Sequence, residues 1–206
     1  YSEKKINPSD DIMSAWIEAE SQGLKDGSDF GLDQIISDCL LLLDGGAETT
    51  RTVIARSMLY LANSPTQWEL LKNGSDLEIA VEEFIRYVTP IHNMCRVATE
   101  DYSIHGKTIR KGDQVVLMYS SANRDQEKFI NPELLDVTRD PNHHIAFGFG
   151  THFCLGASLA RLEIKLFYEQ LINRVESFAL AGDPVEMPNA FVYGLASCPM
   201  DLTPRD

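Results

Sequence analysis

Hydrophobic residues recur every three or four positions along the first part of the chain. Over residues 8–23 they are Ile12, Ala15, Trp16 and Ala19, a spacing that predicts a helix. A connector rich in glycine, aspartate and serine follows at residues 23–31. From about Leu32 to Ala62 helical spacing returns and predicts one helix of about 31 residues, ~46 Å long, with Pro65 as its stop.

Two shorter helices are predicted over residues 66–73 and 77–88, and Pro90 closes the second. Between Arg96 and Leu117 apolar residues alternate with polar ones around the turns His105-Gly106 and Lys111-Gly112-Asp113, which predicts short antiparallel strands. Residues 123–153 lack periodicity and are predicted to form an irregular meander. A helix over residues 157–175 precedes loops and strand pairs. The predicted fold class is therefore mainly α with small antiparallel β-sheets (α+β).

Composition narrows the classes of protein. The chain has 206 residues, 44% of them hydrophobic, enough to bury a core. A formal net charge of −13 argues against nucleic-acid binding, because phosphate contacts need clustered cations. The cysteines Cys39, Cys95, Cys154 and Cys198 form no C-x-x-C pair, so no zinc or redox pair, covalent haem attachment or disulfide framework is predicted. This cysteine usage favours the reducing cytoplasm.

The hydrophobic pattern predicts neither a membrane span nor a targeting signal in these residues. The longest apolar run, residues 39–43, is far shorter than the ~18 residues of a membrane span, and no signal peptide follows Tyr1. Because the chain lacks an initiator Met and its long helix would cross a whole domain, we expect it to be a piece of something larger. Alone, that helix is expected to expose apolar faces at Leu40, Leu43, Ile54 and Met58.

Gly45 and Gly46 fall in the middle of the predicted long helix, where each costs about 1 kcal/mol relative to alanine. Glu48, Thr49 and Thr50 follow directly. Together these residues either widen the helix locally and open a polar groove, or mark a kink with close helix packing. Both interpretations remain open from the residues alone.

Glu83 and Arg86 lie three positions apart on the helix that ends before Pro90, so their side chains share a face and can pair. On spacing alone a solvated surface pair of little energetic consequence is favoured.

The most informative segment is residues 147–156, FGFGTHFCLG, directly before a predicted helix. Gly148 and Gly150 allow tight turns, and Gly156 lets a flat group approach. Cys154 lies just before the helix N-terminus, where the helix dipole stabilises a thiolate and tunes it as a metal ligand.

Other interpretations of this segment fit less well. A dinucleotide-binding G-x-G-x-x-G would need glycine at Phe153 and a preceding βαβ unit. A zinc site from His143, His144, His152 and Cys154 has suitable ligand types but lacks a second ligand pair at the usual spacing. A catalytic Cys154 beside His152 lacks an orienting partner in the sequence. Ligation by Cys154 is the favoured interpretation.

The motifs together resemble a known family. FGFGTHFCLG and the following Leu159-Ala160-Arg161 match every fixed position of the haem-binding signature of cytochrome P-450 enzymes. Gly46-Ala47-Glu48-Thr49 matches the family's G-x-[DE]-T on its long central helix, and Glu83 and Arg86 match its E-x-x-R. The resemblance runs from about Asp11 to the end. It implies that residues 1–206 are the C-terminal part of a single cytochrome P-450 domain whose N-terminal half is absent.

The resemblance implies a role for each matching residue at the haem. Cys154 becomes the axial thiolate of a heme b, which favours O–O cleavage. Phe147 packs against the haem, Gly148 and Gly156 belong to the same binding loop, and Arg96 and His152 hold the propionates.

The resemblance also implies roles away from the iron. Glu48 and Thr49 match the acid and alcohol that relay protons to bound oxygen, and are the catalytic pair. Glu83, Arg86 and Arg139 match a buried ion network that locks the meander under the haem, a structural role.

The substrate pocket of the family maps to mostly apolar positions, which implies a hydrophobic substrate. They are Leu42, Gly45, Ile91, Met94, Phe191 and Val192. The strings GGAETTR and TPIHNMCR and the turn Phe191-Val192-Tyr193-Gly194 are similar to those of actinobacterial-type enzymes that hydroxylate steroid side chains or fatty acyl chains at a terminal carbon.

The function implied is a monooxygenase that uses dioxygen and electrons from a ferredoxin and its reductase. Two alternatives stay open. A peroxide-driven haem-thiolate enzyme would not need the Glu48–Thr49 pair. A non-enzymatic haem-binding or sensor protein would need only the thiolate.

Overall fold

The computed structural model describes residues 1–23 and 31–205 and divides the chain into two compact units, Tyr1–Ala47 and Glu48–Asp206. Most of the connector predicted at residues 23–31 lies outside the described residues. Within the described ranges, no helix combines the length and the apolar character that crossing a membrane requires.

The Tyr1–Ala47 unit is helical. It contains α1 (Ser2–Ile6), α2 (Ile12–Gln22) and the first half of α3 (Leu32–Ala62). The helix predicted over residues 8–23 begins only at Ile12, because the Asp11 side chain accepts a hydrogen bond from the Ser14 N–H at 2.7 Å and caps it. The long helix has the predicted bounds.

The two glycines of α3 leave the helix regular. Residues 32–62 are α-helical throughout, so the predicted local widening at Gly45 and Gly46 is not seen. A Cβ built on either glycine meets no heavy atom of the described chain within 4 Å, so close helix packing is not seen there either. Leu40 and Leu43 are exposed, as expected.

The core of the Glu48–Asp206 unit forms where the second half of α3 packs with α4 (Pro65–Lys72), α5 (Leu77–Val88) and α7 (Ala157–Arg174). Two short helices were not predicted, α1 and the four-residue α6 (Tyr119–Ala122). Pro65 stops α3 and also occupies the first turn of α4, where its missing N–H costs nothing. The expectation that Ile54 and Met58 are exposed is wrong: Met58 is 8% exposed, and Ile54 packs against the same core.

In the described part of the chain, four two-stranded antiparallel sheets confirm the small β component. The hairpin turn at His105-Gly106 has both residues at positive φ, as its type requires. The strands pair in the following way: β1 (Asn93–Val97) with β4 (Gln114–Met118), β2 (Tyr102–Ile104) with β3 (Lys107–Ile109), β5 (Val175–Leu180) with β8 (Met200–Pro204), and β6 (Val185–Glu186) with β7 (Leu195–Ser197).

Residues 123–149 form the predicted irregular meander, followed by one 3₁₀ turn at Gly150–His152. The buried Asn123 anchors both of its ends. The side-chain Nδ2 of Asn123 donates to Thr89 Oγ1 at 2.9 Å, and the side-chain Oδ1 accepts from the Ile145 N–H at 2.9 Å. The meander therefore reaches the 147–156 loop along a fixed path.

Candidate functional site

The 147–156 loop presents Cys154 immediately before α7. Gly148 and Gly150 lie at φ +73° and +71°, a left-handed conformation that strains other residues. The Cys154 N–H donates to the Phe147 carbonyl at 2.9 Å and closes the loop. Gly156 caps α7. The thiol thus lies near the positive end of the α7 helix dipole.

The surroundings of Cys154 are open and apolar. The thiol itself is exposed, and a Cβ built on Gly150 or Gly156 meets nothing within 4 Å. Next to it along the chain, Phe153 is half exposed and Leu155 is 91% exposed. A flat hydrophobic group that covers these side chains therefore fits the loop.

The donor set near Cys154 suits a metal that brings most of its own ligands. Among residues 1–23 and 31–205, no three or more histidine, cysteine, aspartate or glutamate side chains are grouped so that they could hold a metal ion. The zinc arrangement of His143, His144, His152 and Cys154 is therefore not formed. Haem supplies four nitrogen ligands itself and needs one axial thiolate, so Cys154 alone can hold it.

Beside Phe147 lies a cluster of three ionisable side chains that the sequence analysis did not predict: it missed Glu82 altogether and did not pair His144 or Arg161 with it. Arg161 on α7 donates to Glu82 on α5, with its Nε 2.5 Å and its Nη2 2.9 Å from the carboxylate oxygens. His144 Nε2 lies 3.0 Å from the same carboxylate. The Arg161 guanidinium carbon is 4.6 Å from the Phe147 ring centroid, a cation–π contact. We call Glu82, His144 and Arg161 the Glu82 cluster.

Hydrogen bonds within the Glu82 cluster favour the charged forms of Glu82 and Arg161. Burial by itself raises the pKa of Glu82, but hydrogen bonds from His144 and Arg161 outweigh it and lower that pKa to about 2. The Glu82 hydrogen bond raises the pKa of Arg161 against the effect of burial, and the charge of Cys154 adds to the rise. The Cys154 sulfur therefore lies in the field of a fixed cation. Arg161 and His144 lie 79 and 62 positions from Glu82 in sequence, so no local spacing indicates that they pair with it.

Arg96 and His152, the predicted propionate ligands, are both exposed. Arg96 lies on β1, and its Nη1 donates to the Cys95 carbonyl at 2.8 Å. His152 ends the 3₁₀ turn two residues before Cys154.

Glu48 and Thr49 are consecutive residues on α3, and both are partly buried. The sequence analysis missed the partner of Glu48: its Oε2 forms a salt bridge with Arg51 Nη2 one turn further along the helix. The carboxylate is therefore held by a neighbouring cation.

Several of the predicted pocket residues are brought together. Ile91 and Val192 form an antiparallel bridge, and the His92 N–H donates to the Phe191 carbonyl at 2.9 Å. Met94 follows on β1. Leu42 and Gly45 belong to the Tyr1–Ala47 unit, where both are exposed on α3.

Glu83 and Arg86 do not form the solvated pair favoured on spacing alone. Both side chains are fully buried, with Arg86 Nε and Nη2 at 2.7 and 2.8 Å from the Glu83 carboxylate oxygens. Arg139 Nε lies 3.0 Å from Glu83 Oε2, and Asn142 Nδ2 and the Asp136 N–H also donate to this carboxylate. Glu83, Arg86 and Arg139 thus form one cluster.

The remaining donors of the two arginines hold the meander. Arg86 Nη1 donates to the carbonyls of Asn123 and Pro132 at 2.8 and 3.0 Å. Arg139 Nη1 donates to the Ile130 carbonyl at 2.7 Å. A segment without a helix or strand has few backbone partners of its own, so these guanidinium groups satisfy its carbonyls.

The family model for Cytochrome P450 matches residues 66–199. The chain is 40% identical over 205 residues to the Steroid C26-monooxygenase of Mycobacterium tuberculosis (strain CDC 1551 / Oshkosh). The matched region covers 98% of this chain and 54% of that protein. The chain spans about half the length of the curated relatives it matches.

Two solved structures are similar in fold. P450BioI, in complex with an acyl carrier protein ligated to hexadec-9Z-enoic acid, has a TM-score of 0.87 and 37% identity, covering 98% of this chain and 51% of that one. CYP109E1 from Bacillus megaterium, in complex with testosterone, has a TM-score of 0.84 and 35% identity, covering 97% and 55%.

Replacement of Arg86 by methionine tests the buried ion cluster. We expect Arg86→Met to lower the free energy of unfolding by about 3–5 kcal/mol, because it leaves the buried Glu83 carboxylate without its closest partner. The matched control is Arg205→Met, which removes an exposed arginine 3.8 Å from Glu176 and should cost less than about 1 kcal/mol. Urea unfolding of both variants measures the difference, and similar losses would contradict the prediction.

The Glu82 cluster predicts a pH dependence. Because the pKa of Glu82 is lowered to about 2 in the folded state, its contribution is complete above an unfolded pKa of about 4.3 and is lost as pH falls towards about 2. The stability difference between the unsubstituted protein and Glu82→Gln should therefore shrink on acidification below about pH 5. Urea midpoints across a pH series measure it, with the exposed Glu78→Gln as control. A difference that stays constant with pH would refute the assignment.

Proposed function

The chain belongs to the cytochrome P450 family, and from this premise we propose that it is part of a haem-thiolate monooxygenase that inserts one oxygen atom into a C–H bond of a hydrophobic molecule. The observation that carries the proposal is the closed 147–156 loop, with an exposed Cys154 beside the N-terminus of α7. Within this proposal, residues 1–206 are the C-terminal part of one P450 domain.

The family binds haem through a cysteine thiolate, and four residues of this chain are proposed to hold it. Cys154 would ligate the haem iron through its thiolate, and Phe147 would pack beside the sulfur. Arg96 and His152 would donate hydrogen bonds to the propionates, charge-assisted in the case of Arg96. When bound, the haem supplies the activation of dioxygen. The cationic Arg161, stacked on Phe147, keeps positive charge near the sulfur and so limits the electron density that the thiolate donates.

Glu48 and Thr49 are proposed to deliver protons on the oxygen side. The Thr49 hydroxyl can donate a proton and be reprotonated, and Glu48 is an acid one position away on the same helix. Arg51 restrains the Glu48 carboxylate through their salt bridge, so proton delivery requires Glu48 to leave that partner. This requirement favours turnover gated by side-chain movement.

We propose a steroid side chain or a fatty acyl chain as the substrate. Ile91, Met94, Phe191 and Val192 offer an apolar wall, and relatives of this chain are a Steroid C26-monooxygenase and P450 structures with testosterone or a hexadecenoyl carrier protein. Electrons would come from a ferredoxin and its reductase. The four free cysteines support a reducing cytoplasmic location.

Replacement of Cys154 tests the haem ligand. Cys154→Ser should abolish the thiolate-specific absorption band of the carbon monoxide complex, because a neutral hydroxyl is a poor donor to iron. The control is Cys95→Ser, which alters another exposed free cysteine, on the strand face opposite Met94 and Arg96. If Cys154→Ser keeps the band, Cys154 is not the ligand and the proposed function fails.

Replacement of Thr49 tests the proton relay. With testosterone or hexadec-9Z-enoic acid as probe substrates, Thr49→Ala should bind haem normally but form about tenfold less product per electron, releasing hydrogen peroxide instead. Thr52→Ala is the matched control: its hydroxyl is buried one turn further on and has no hydrogen-bond partner among the described residues. Unchanged product yield in Thr49→Ala contradicts the role. Turnover supported by added peroxide alone identifies the peroxide-driven alternative.

A further inference from the structure

Arg56 is a charged residue that neither the haem site nor the core of α3 explains. It lies on α3 and is 1% exposed, among the least exposed arginines of the described chain. A guanidinium without water must find hydrogen-bond partners inside the protein, because burying an unpaired charge is costly. The partners that Arg56 uses therefore indicate what it is there to hold.

Those partners belong to the 191–194 turn and the strand beside it. Arg56 Nε donates to the Tyr193 carbonyl at 2.5 Å, and Nη2 donates to the Gly194 carbonyl at 3.1 Å. Nη2 also pairs with the carboxylate of Glu186 on β6. The guanidinium carbon lies 3.2 Å from the Tyr193 ring centroid. Arg56 thus binds the turn through two backbone carbonyls and through the ring of Tyr193.

The same turn is joined to the segment that carries Ile91. The Tyr193 N–H donates to the Pro90 carbonyl at 2.9 Å, and the His92 N–H donates to the Phe191 carbonyl at 2.9 Å. These bonds frame the bridge between Ile91 and Val192. A displacement of Tyr193 would therefore move the apolar side chains of both segments.

A second ring contact adds to the hold on Tyr193. The Tyr193 ring contacts the Arg56 guanidinium and also the His92 ring, whose centroid lies 4.9 Å away at a tilt of 46°. Burial lowers the pKa of His92, and the charge of Arg56 lowers it further. Both effects favour the uncharged imidazole and so reduce repulsion between His92 and Arg56.

We propose that Arg56 is a positioning residue that fixes the wall formed by Ile91, Phe191 and Val192, and so decides which ligand shapes the pocket accepts. The proposal rests on the proposed function, which makes these residues the substrate wall. Without the guanidinium, the Tyr193 carbonyl loses its Arg56 donor and the Gly194 carbonyl keeps only the Met187 N–H at 3.3 Å, so the turn is held less firmly and gains by shifting towards water. A wall that is no longer preorganised binds shape-dependent ligands more weakly.

The test uses the haem-loaded protein with Arg56→Met, Arg56→Lys and, as control, Arg124→Met. Arg124 is matched to Arg56 because it also donates to backbone carbonyls, those of Arg86 and Tyr87, and stacks on a tyrosine ring at 4.2 Å. Two haem ligands are titrated by absorbance. Imidazole is small enough to reach the iron in any pocket, whereas the triaryl azole clotrimazole needs a formed wall.

For Arg56→Met we expect unchanged imidazole affinity and clotrimazole binding weaker by about tenfold. Amide hydrogen exchange at His92 and Tyr193 should accelerate in the same variant. Arg56→Lys keeps the positive charge, so its clotrimazole affinity should lie between those of the unsubstituted protein and Arg56→Met. Arg56→Lys replaces Arg56→Met in the comparison if Arg56→Met does not fold. Arg124→Met should change neither the ratio of azole affinities nor the exchange of these two amides.

Equal weakening of both azoles by Arg56→Met, or unchanged exchange at His92 and Tyr193, overturns the proposal. These outcomes are separate from failure of the proposed function. If the unsubstituted protein shows no thiolate band with carbon monoxide, the proposed function fails, while the exchange measurement, which needs no haem, still decides whether Arg56 holds the turn.

Discussion

The Glu83 carboxylate is buried with no exposed surface, and it accepts hydrogen bonds from Arg86, Arg139, Asn142 and the Asp136 backbone. Such a charge is tolerable only when every oxygen is paired, so the carboxylate requires these donors to stay in place. The two arginines it fixes then supply hydrogen bonds to the carbonyls of the meander. The path of the meander, and with it the entry to the 147–156 loop, follows from one buried acid.

Arg56 meets a similar need elsewhere in the Glu48–Asp206 unit. Both Arg56 and Arg86 project from helices and donate to backbone carbonyls of turns and loops distant in sequence. A guanidinium suits this task because its planar group presents five donors in fixed directions. The helices thus determine the positions of loops, and the loops carry the residues proposed for ligand binding.

Local pattern was enough to predict the elements whose cause is local. The bounds of α3 and α5, the turn at His105-Gly106 and the irregular meander follow from periodicity, glycine and proline. Helix α6 is too short to show a period. The burial of Met58 was missed because the packing of α4, α5 and α7 against that face of α3 depends on contacts distant in sequence.

The candidate site also has a part that the sequence predicts and a part that depends on contacts distant in sequence. Cys154 and its glycines are contiguous, and the resemblance to a family identified them. The Glu82 cluster and Arg56 are joined to their partners across 62 to 138 positions, and only the folded chain brings these together. Spacing alone also favoured an exposed Glu83–Arg86 pair, because spacing carries no information on burial.

The cluster around Glu83 has a consequence for how the meander can vary. Arg86 and Arg139 bind carbonyl oxygens of Asn123, Pro132, Leu134 and Ile130, groups that every residue type possesses. Side-chain identity at the exposed Ile130 and Leu134 is therefore open to drift, unlike that of Asn123, whose buried amide is itself hydrogen-bonded. A deletion or insertion of one residue, by contrast, would carry the carbonyls out of reach. Among homologues, this segment should conserve its length more strictly than its letters.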